Sequence, residues 1–317
     1  MSNVAIALLL AASLAAPITA GAQLAYASNE KDGTITVIDT RRDAVTGSIK
    51  AGKTPRGMAA SVDRKWLYVS DQKANSLRVV DLARAEVVRS INLGESPEGV
   101  GRSPDGKWVV VAIEEDHQVM FIDTASEKVV FKVKVEGENP EHAVFSPDSK
   151  WVFVSAEESQ VVDVIDVDGR KLAGSIKVGK RPRGIGFVPD GSRAYVACEL
   201  ANTVFAIDVA NRKVLASIPA GGRSNGIKVH PSGNEVYVSN GADGTVMVID
   251  TASNKVTHTI KVGARPWNMA LTPDGGKLYV ANGRANSVSV IDTATKQKLA
   301  DIKVGDTPWG VLIPEGH

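Results

Sequence analysis

Two histidines and two glutamates are of the types that could ligate a metal ion. His117, His142, Glu98 and Glu141 offer imidazole nitrogens and carboxylate oxygens of the kind a divalent ion accepts. Arg56 and Arg183 could clamp a carboxylate in bidentate fashion, and Trp267 and Trp309 add flat stacking area. With Glu141 or His142 as base and the two arginines as anion clamps, the same set would suit lactone hydrolysis. Replacing both arginines by alanine is then expected to weaken an anionic ligand and leave the fold intact. Other chemistries are disfavoured. No Ser-His-Asp pattern stands out, and the C-x-x-C-H signature of c-type haem is missing. The single cysteine, Cys198, rules out an internal disulfide and reads as a buried thiol. The sequence names no cofactor.

These residues lie far apart along the chain, so something must bring them together. That something is repetition. An Ile/Val-Asp pair recurs with its aspartate at Asp39, Asp81, Asp123, Asp166, Asp208, Asp250 and Asp292, at intervals of 42, 42, 43, 42, 42 and 42. A second marker runs in phase through Tyr26, Tyr68, Val110, Phe153, Tyr195, Tyr237 and Tyr279. A third runs through Pro55, Pro97, Pro140, Pro182, Ser224, Pro266 and Pro308. A period of this length suits a propeller blade of four short strands. In the unit from Trp267 onward, Lys277-Leu278-Tyr279-Val280-Ala281 and Val288-Ser289-Val290-Ile291-Asp292 alternate as strands, and Pro273-Asp274-Gly275-Gly276 is a turn. Helical periodicity is missing throughout. The expected fold is therefore all-β, a seven-bladed β-propeller of four-stranded antiparallel blades. Its ring closes when Trp309–Ile313 pairs with Leu24–Ser28. The one 43-residue interval is expected to reflect a bulge in an outer strand within 124–136.

Val4–Ala16 is an apolar run of about 13 residues, short of the roughly 20 that span a bilayer. Ala20-Gly21-Ala22 follows in the pattern of a signal-peptidase site, although Met1-Ser2-Asn3 has no basic residue. Residues 1–22 are thus expected to be a signal peptide, and 23–317 the propeller. The protein would be periplasmic or secreted, with no membrane span.

Tyr237-Val238-Ser239-Asn240, Tyr279-Val280-Ala281-Asn282, Ser103-Pro104-Asp105-Gly106 and the Val-Ile-Asp-Thr segments at 37–40, 248–251 and 290–293 resemble YVTN-type β-propeller repeats. Pro55-Arg56-Gly57, Arg265-Pro266-Trp267-Asn268 and Pro308-Trp309-Gly310 look most similar to exported propellers associated with PQQ-dependent (quinoprotein) alcohol catabolism. The resemblance implies an accessory role there. A dehydrogenase would carry Trp-rich docking repeats and often a vicinal cysteine pair, and this chain has only Cys198.

Repetition also separates scaffold from site. A residue present in most copies serves the fold; one that breaks the pattern near the channel mouth is a site candidate. The seven repeat aspartates are accordingly expected to accept turn hydrogen bonds, and Trp66, Trp108 and Trp151 to pack. The position after each repeat proline (or Ser224) holds Arg56, Glu98, Glu141, Arg183, Asn225, Trp267 and Trp309. The next position is glycine in five copies, but His142 and Asn268 in two. These nine residues are the candidate ligand site, with His117, His142, Glu98 and Glu141 as candidate metal ligands. Glu114, Glu115, Asp116, Glu157 and Glu158 would make one sector of the mouth acidic.

The expected function is non-catalytic binding of a small-molecule ligand or a periplasmic protein partner, by a monomer. The alternative is a lactonase-like hydrolase. Nucleic acid is disfavoured as a partner. Lys plus Arg number 37 against 36 Asp plus Glu, so no bulk excess of positive charge faces a phosphate backbone.

Overall fold

A computed structural model of the protein describes residues 23–314. The expected signal peptide lies outside the described residues. Within them, seven four-stranded antiparallel sheets form a closed ring. Blade 1 combines the C-terminal inner strand Pro308–Leu312 with Leu24–Asn29, Thr34–Asp39 and Ala44–Lys50. Blades 2 to 7 follow in chain order over 55–92, 97–134, 140–177, 182–219, 224–261 and 266–303. One short 3-10 turn, Gln72–Ala74, is the helical element among the described residues. None of their helices is long and apolar enough to cross a membrane.

The ring closes by pairing the expected strands. Tyr26 pairs with Leu312, Ala27 with Val311 and Ser28 with Gly310. Asp32 reinforces the join by accepting the Asp306 N–H at 2.6 Å.

Each repeated residue has a visible task. Second and third strands are buried on both faces between neighbouring blades, which is why they read as continuous Val/Ile/Tyr runs. The tyrosines of the second marker are buried, and some reach the next blade. The Tyr195 hydroxyl lies 3.0 Å from Asn254 Oδ1, and that of Tyr279 lies 3.2 Å from the Thr40 carbonyl. All seven repeat aspartates accept a backbone N–H in the turn that follows. Asp39 takes that of Arg41 at 2.9 Å and Asp292 that of Thr295 at 2.7 Å. The three tryptophans pack as expected. Trp108 meets Phe121 and Phe131 edge-on, while Arg89 and Arg212 cover Trp66 and Trp151. Outer strands alternate exposed Lys and Thr with a single buried Ile near the end, so the sheet edges face water.

The 43-residue interval has a different origin from the one expected. Outer strands in every blade share the same one-residue register shift, and Lys128–Lys134 is seven residues long like its sisters. The extra residue lies in the loop 135–139 that leads to Pro140. There Glu136 Oε2 accepts the Ser175 hydroxyl at 3.1 Å.

Candidate functional site

Inner strands all begin at one end of the ring, here called the top. Adjacent inner strands approach so closely there that a Cβ on Gly57 would fall 2.6 Å from the Glu98 carbonyl oxygen. A Cβ on Gly184 would meet the Asn225 carbonyl at the same distance. Serines of the second strand stitch the blades at this level. Ser70 Oγ accepts the Gly57 N–H at 2.9 Å and donates to the Glu98 carbonyl of the next blade at 2.5 Å. Glycine is therefore the default two positions after the repeat proline. His142 and Asn268 depart from it, and the inner strands of blades 4 and 5 touch least of any neighbouring pair.

The charged candidates form a buried network. Arg56 pairs with Glu98 and, at 3.2 Å, with Glu30. Gln72 donates to Glu98 at 2.9 Å. Arg183 pairs with Glu141 at 2.6 Å, with Glu157, and with Glu199 at 3.1 Å. Arg181 holds Glu157 at 2.8 Å, while Arg223 and Arg265 hold Glu199 at 3.0 and 2.9 Å. Glu98 and Glu199 are 0% and 1% exposed.

These pairings bear on the anion-clamp expectation for Arg56 and Arg183. Both guanidiniums are already surrounded by the protein's own carboxylates. Removing one partner of a buried ion pair costs about 3–5 kcal/mol, because a charge is left uncompensated. The double alanine replacement would therefore damage the fold as well as any site.

Carboxylates in this network differ in proton affinity. Burial, together with the neighbouring Glu141 charge, pushes Glu157 up to about 8, against the pull of Arg183 and Arg181. Burial, with Glu141 and Glu114 nearby, likewise raises Glu98 well above the usual carboxylate range despite Arg56. Burial would raise Glu141 and Glu199 too, but the facing arginines, Arg183 foremost, hold both below that range. Glu141 is thus the ionised member of its pair with Glu157, and Glu157 the protonated one near neutral pH.

Inside the charged ring, three residues meet across the channel. His142 of blade 4 stacks on Trp309 of blade 1, with ring centroids 5.6 Å apart and planes at 17°. Asn268 of blade 7 reaches the Trp309 carbonyl at 3.4 Å. Both imidazole nitrogens of His142 are buried, with the Asn268 side chain beside them. Arg56 Nε and Glu98 Oε2 are buried without a hydrogen-bond partner among the described residues. Burial lowers the His142 pKa against the pull of the Glu141 carboxylate, with the Arg183 charge adding to the lowering, and the ring stays neutral. This group lies against a cavity of about 660 Å³. Its wall is largely apolar, with Met58, Val100, Ile185, Ile227 and Met269, and it extends to Pro147, Pro189 and Pro231 in turns at the bottom end.

The remaining candidates take other positions. Asn225 is buried beside Gly184 and makes no side-chain hydrogen bond. Trp267 lies on Gly283, where a Cβ would fall 2.5 Å from the indole. His117 is apart from the channel group, and its Nδ1 accepts the Asn139 N–H at 3.2 Å. Among the described residues no three His, Cys, Asp or Glu side chains form a group that could hold a metal ion. His142, Glu98, Glu141 and His117 do not assemble as ligands. Cys198 is buried and free, its thiol pushed up to about 12 by that burial, so it is inert.

Sequence reasoning missed Glu30, Gln72 and Glu199, the partners from the next ring outward. A signal was present. The residue following each second strand is Glu30, Gln72, Glu114, Glu157, Glu199, Gly241 and Gly283, which is acidic in four copies.

Fold and site define a seven-bladed β-propeller with an aromatic and imidazole group across the top of its channel. The family model described as YNCE-like β-propeller matches residues 29–148 and 109–273, more than half of the chain, and the protein belongs to that family. Among curated proteins, none matches. Among solved structures, the Kuenenia stuttgartiensis hydrazine synthase is similar, with 25% identity and a TM-score of 0.78, over 85% of this chain and 92% of that one. A functionally unknown protein from Desulfotomaculum acetoxidans has 17% identity and a TM-score of 0.82, over 93% and 100%. The dihydro-heme d1 dehydrogenase NirN in complex with DHE has 16% identity and a TM-score of 0.71, over 92% and 75%. At the identities of the last two, the likeness is one of fold.

Proposed function

We propose that the protein is an exported, non-catalytic binding propeller that holds a small, partly aromatic ligand at the top of its channel. The observation that carries this reading is the His142–Trp309–Asn268 group. Its imidazole, indole and amide side chains converge on a cavity of small-molecule size with an apolar wall. A ligand there would stack on Trp309 and hydrogen-bond to His142 and Asn268. Resemblance to propellers of quinoprotein alcohol catabolism makes quinone cofactors the first class to test, followed by metals and nucleotides.

Lactonase-like hydrolysis draws less support. Glu141 is committed to Arg183 and held ionised by it, which makes it a counter-ion and a weak base. The test is thermal shift of purified wild type and His142→Phe against that panel. Phenylalanine keeps the stack on Trp309 and removes both nitrogens. At least one compound is expected to raise the wild-type melting temperature and to leave the variant unmoved. Equal shifts in both proteins would refute the site.

A further inference from the structure

The acidic pattern around the top stops abruptly. After Glu199 of blade 5, the equivalent positions in blades 6 and 7 are Gly241 and Gly283. Basic residues continue where acid ends. Arg223 and Arg265 precede the inner strands of blades 6 and 7, and Arg284 follows Gly283.

Glu199 is overcommitted. Its Oε1 is shared by Arg223 at 3.0 Å and Arg265 at 2.9 Å, while Oε2 serves Arg183 at 3.1 Å. Arg284 is exposed and makes no ion pair among the described residues. These side chains, with Lys261, line a concavity of about 650 Å³ on the rim between blades 6 and 7. Its one acidic lining residue, Asp243, already accepts the Gly222 N–H at 2.7 Å. Four cationic groups therefore face Asp243 and a share of Glu199. Mutual repulsion is felt within the set. Burial lowers the Arg265 pKa, and Arg223 and Arg284 lower it further, against Glu199.

We propose that this rim concavity is a second binding site, for a small anion carrying carboxylate or phosphate oxygens. Arg223 and Arg284 would fork onto its oxygens, with Lys261 as a point charge. Gly241 lets the Arg265 side chain lie close against the rim, where a Cβ would fall 3.2 Å from Arg265 Cδ.

Isothermal titration of the full chain with inorganic phosphate and, separately, with citrate tests the site. Saturable binding of at least one anion is expected, weakening as salt is added, and the arm that responds identifies the oxygen source. Arg223→Gln combined with Arg284→Gln should weaken it about tenfold or more. Circular dichroism checks the double variant's fold. If it does not fold, Arg284→Gln alone should still weaken binding severalfold, since that side chain is exposed and makes no ion pair among the described residues. Arg64→Gln, in a bottom turn, and His142→Phe, at the channel, should leave the affinity unchanged. Absence of binding by both anions, undiminished binding in the arginine variants, or a loss in either control would overturn the proposal.

Discussion

At the residue scale, Arg183 sets the character of the site. It faces Glu141, Glu157 and Glu199 and so divides the proton unequally between the first two. Glu157 is raised from an ordinary 4.5 to about 8, so between those values the folded state keeps a proton that the unfolded chain has released. The stabilisation this confers is complete below the unfolded pKa and is lost as pH climbs through the folded one. Glu157→Gln removes that dependence. Between about pH 5 and about pH 8, wild type should lose more melting temperature than the variant, measured by thermal melts of both across that range. Parallel profiles would show that Glu157 does not carry the proton. Arg56, Glu98, Glu141 and Arg183 were legible in the sequence because repeat copies could be aligned against one another, whereas Glu30, Gln72 and Glu199 were missed. Their pairings were not legible. Whether Arg183 meets a ligand or three carboxylates depends on side-chain reach between blades, which linear spacing does not encode.

At the scale of the strand and turn, the repeat explains both its regularities and its exceptions. Bottom turns place a residue at positive φ, from +71° to +76° at Gly106, Gly191, Gly233 and Gly275. Arg64 occupies the equivalent place in blade 2 at +56° and accepts the strain of a Cβ there. Arg64→Gly should stabilise the protein by up to about 1 kcal/mol, the relief being partly offset by glycine's greater entropy loss. A denaturant midpoint that fails to rise would contradict this. At the top, His142 replaces the glycine that other blades use for close packing of their inner strands, and a loop longer by one residue leads into the same strand. The length difference was visible as a 43-residue interval. Its location was not, because the bulge that seemed to explain it is common to all seven outer strands.

For the whole molecule, three markers in one phase were enough to specify a ring of seven blades and its closure. Each marker reports a local event: a turn-capping aspartate, a buried tyrosine, an inner-strand proline. Their common period means that the same event recurs once per blade. Closure rests on Pro308–Leu312, which supplies the inner strand of blade 1 and without which the channel-side edge of Leu24–Asn29 would lose its partner. Deleting 306–317 should therefore greatly lower the melting temperature, and an unchanged melt would contradict closure by strand exchange. The ring's most distinctive consequence is that His142 and Trp309, 167 positions apart in the sequence, stack across the channel. Binding at that group is measured most directly by calorimetric titration of a panel compound into wild type and His142→Phe. Affinity at least about tenfold weaker in the variant is expected from the loss of a buried hydrogen bond. Equal affinity in the two proteins, or no binding by any compound, would contradict it.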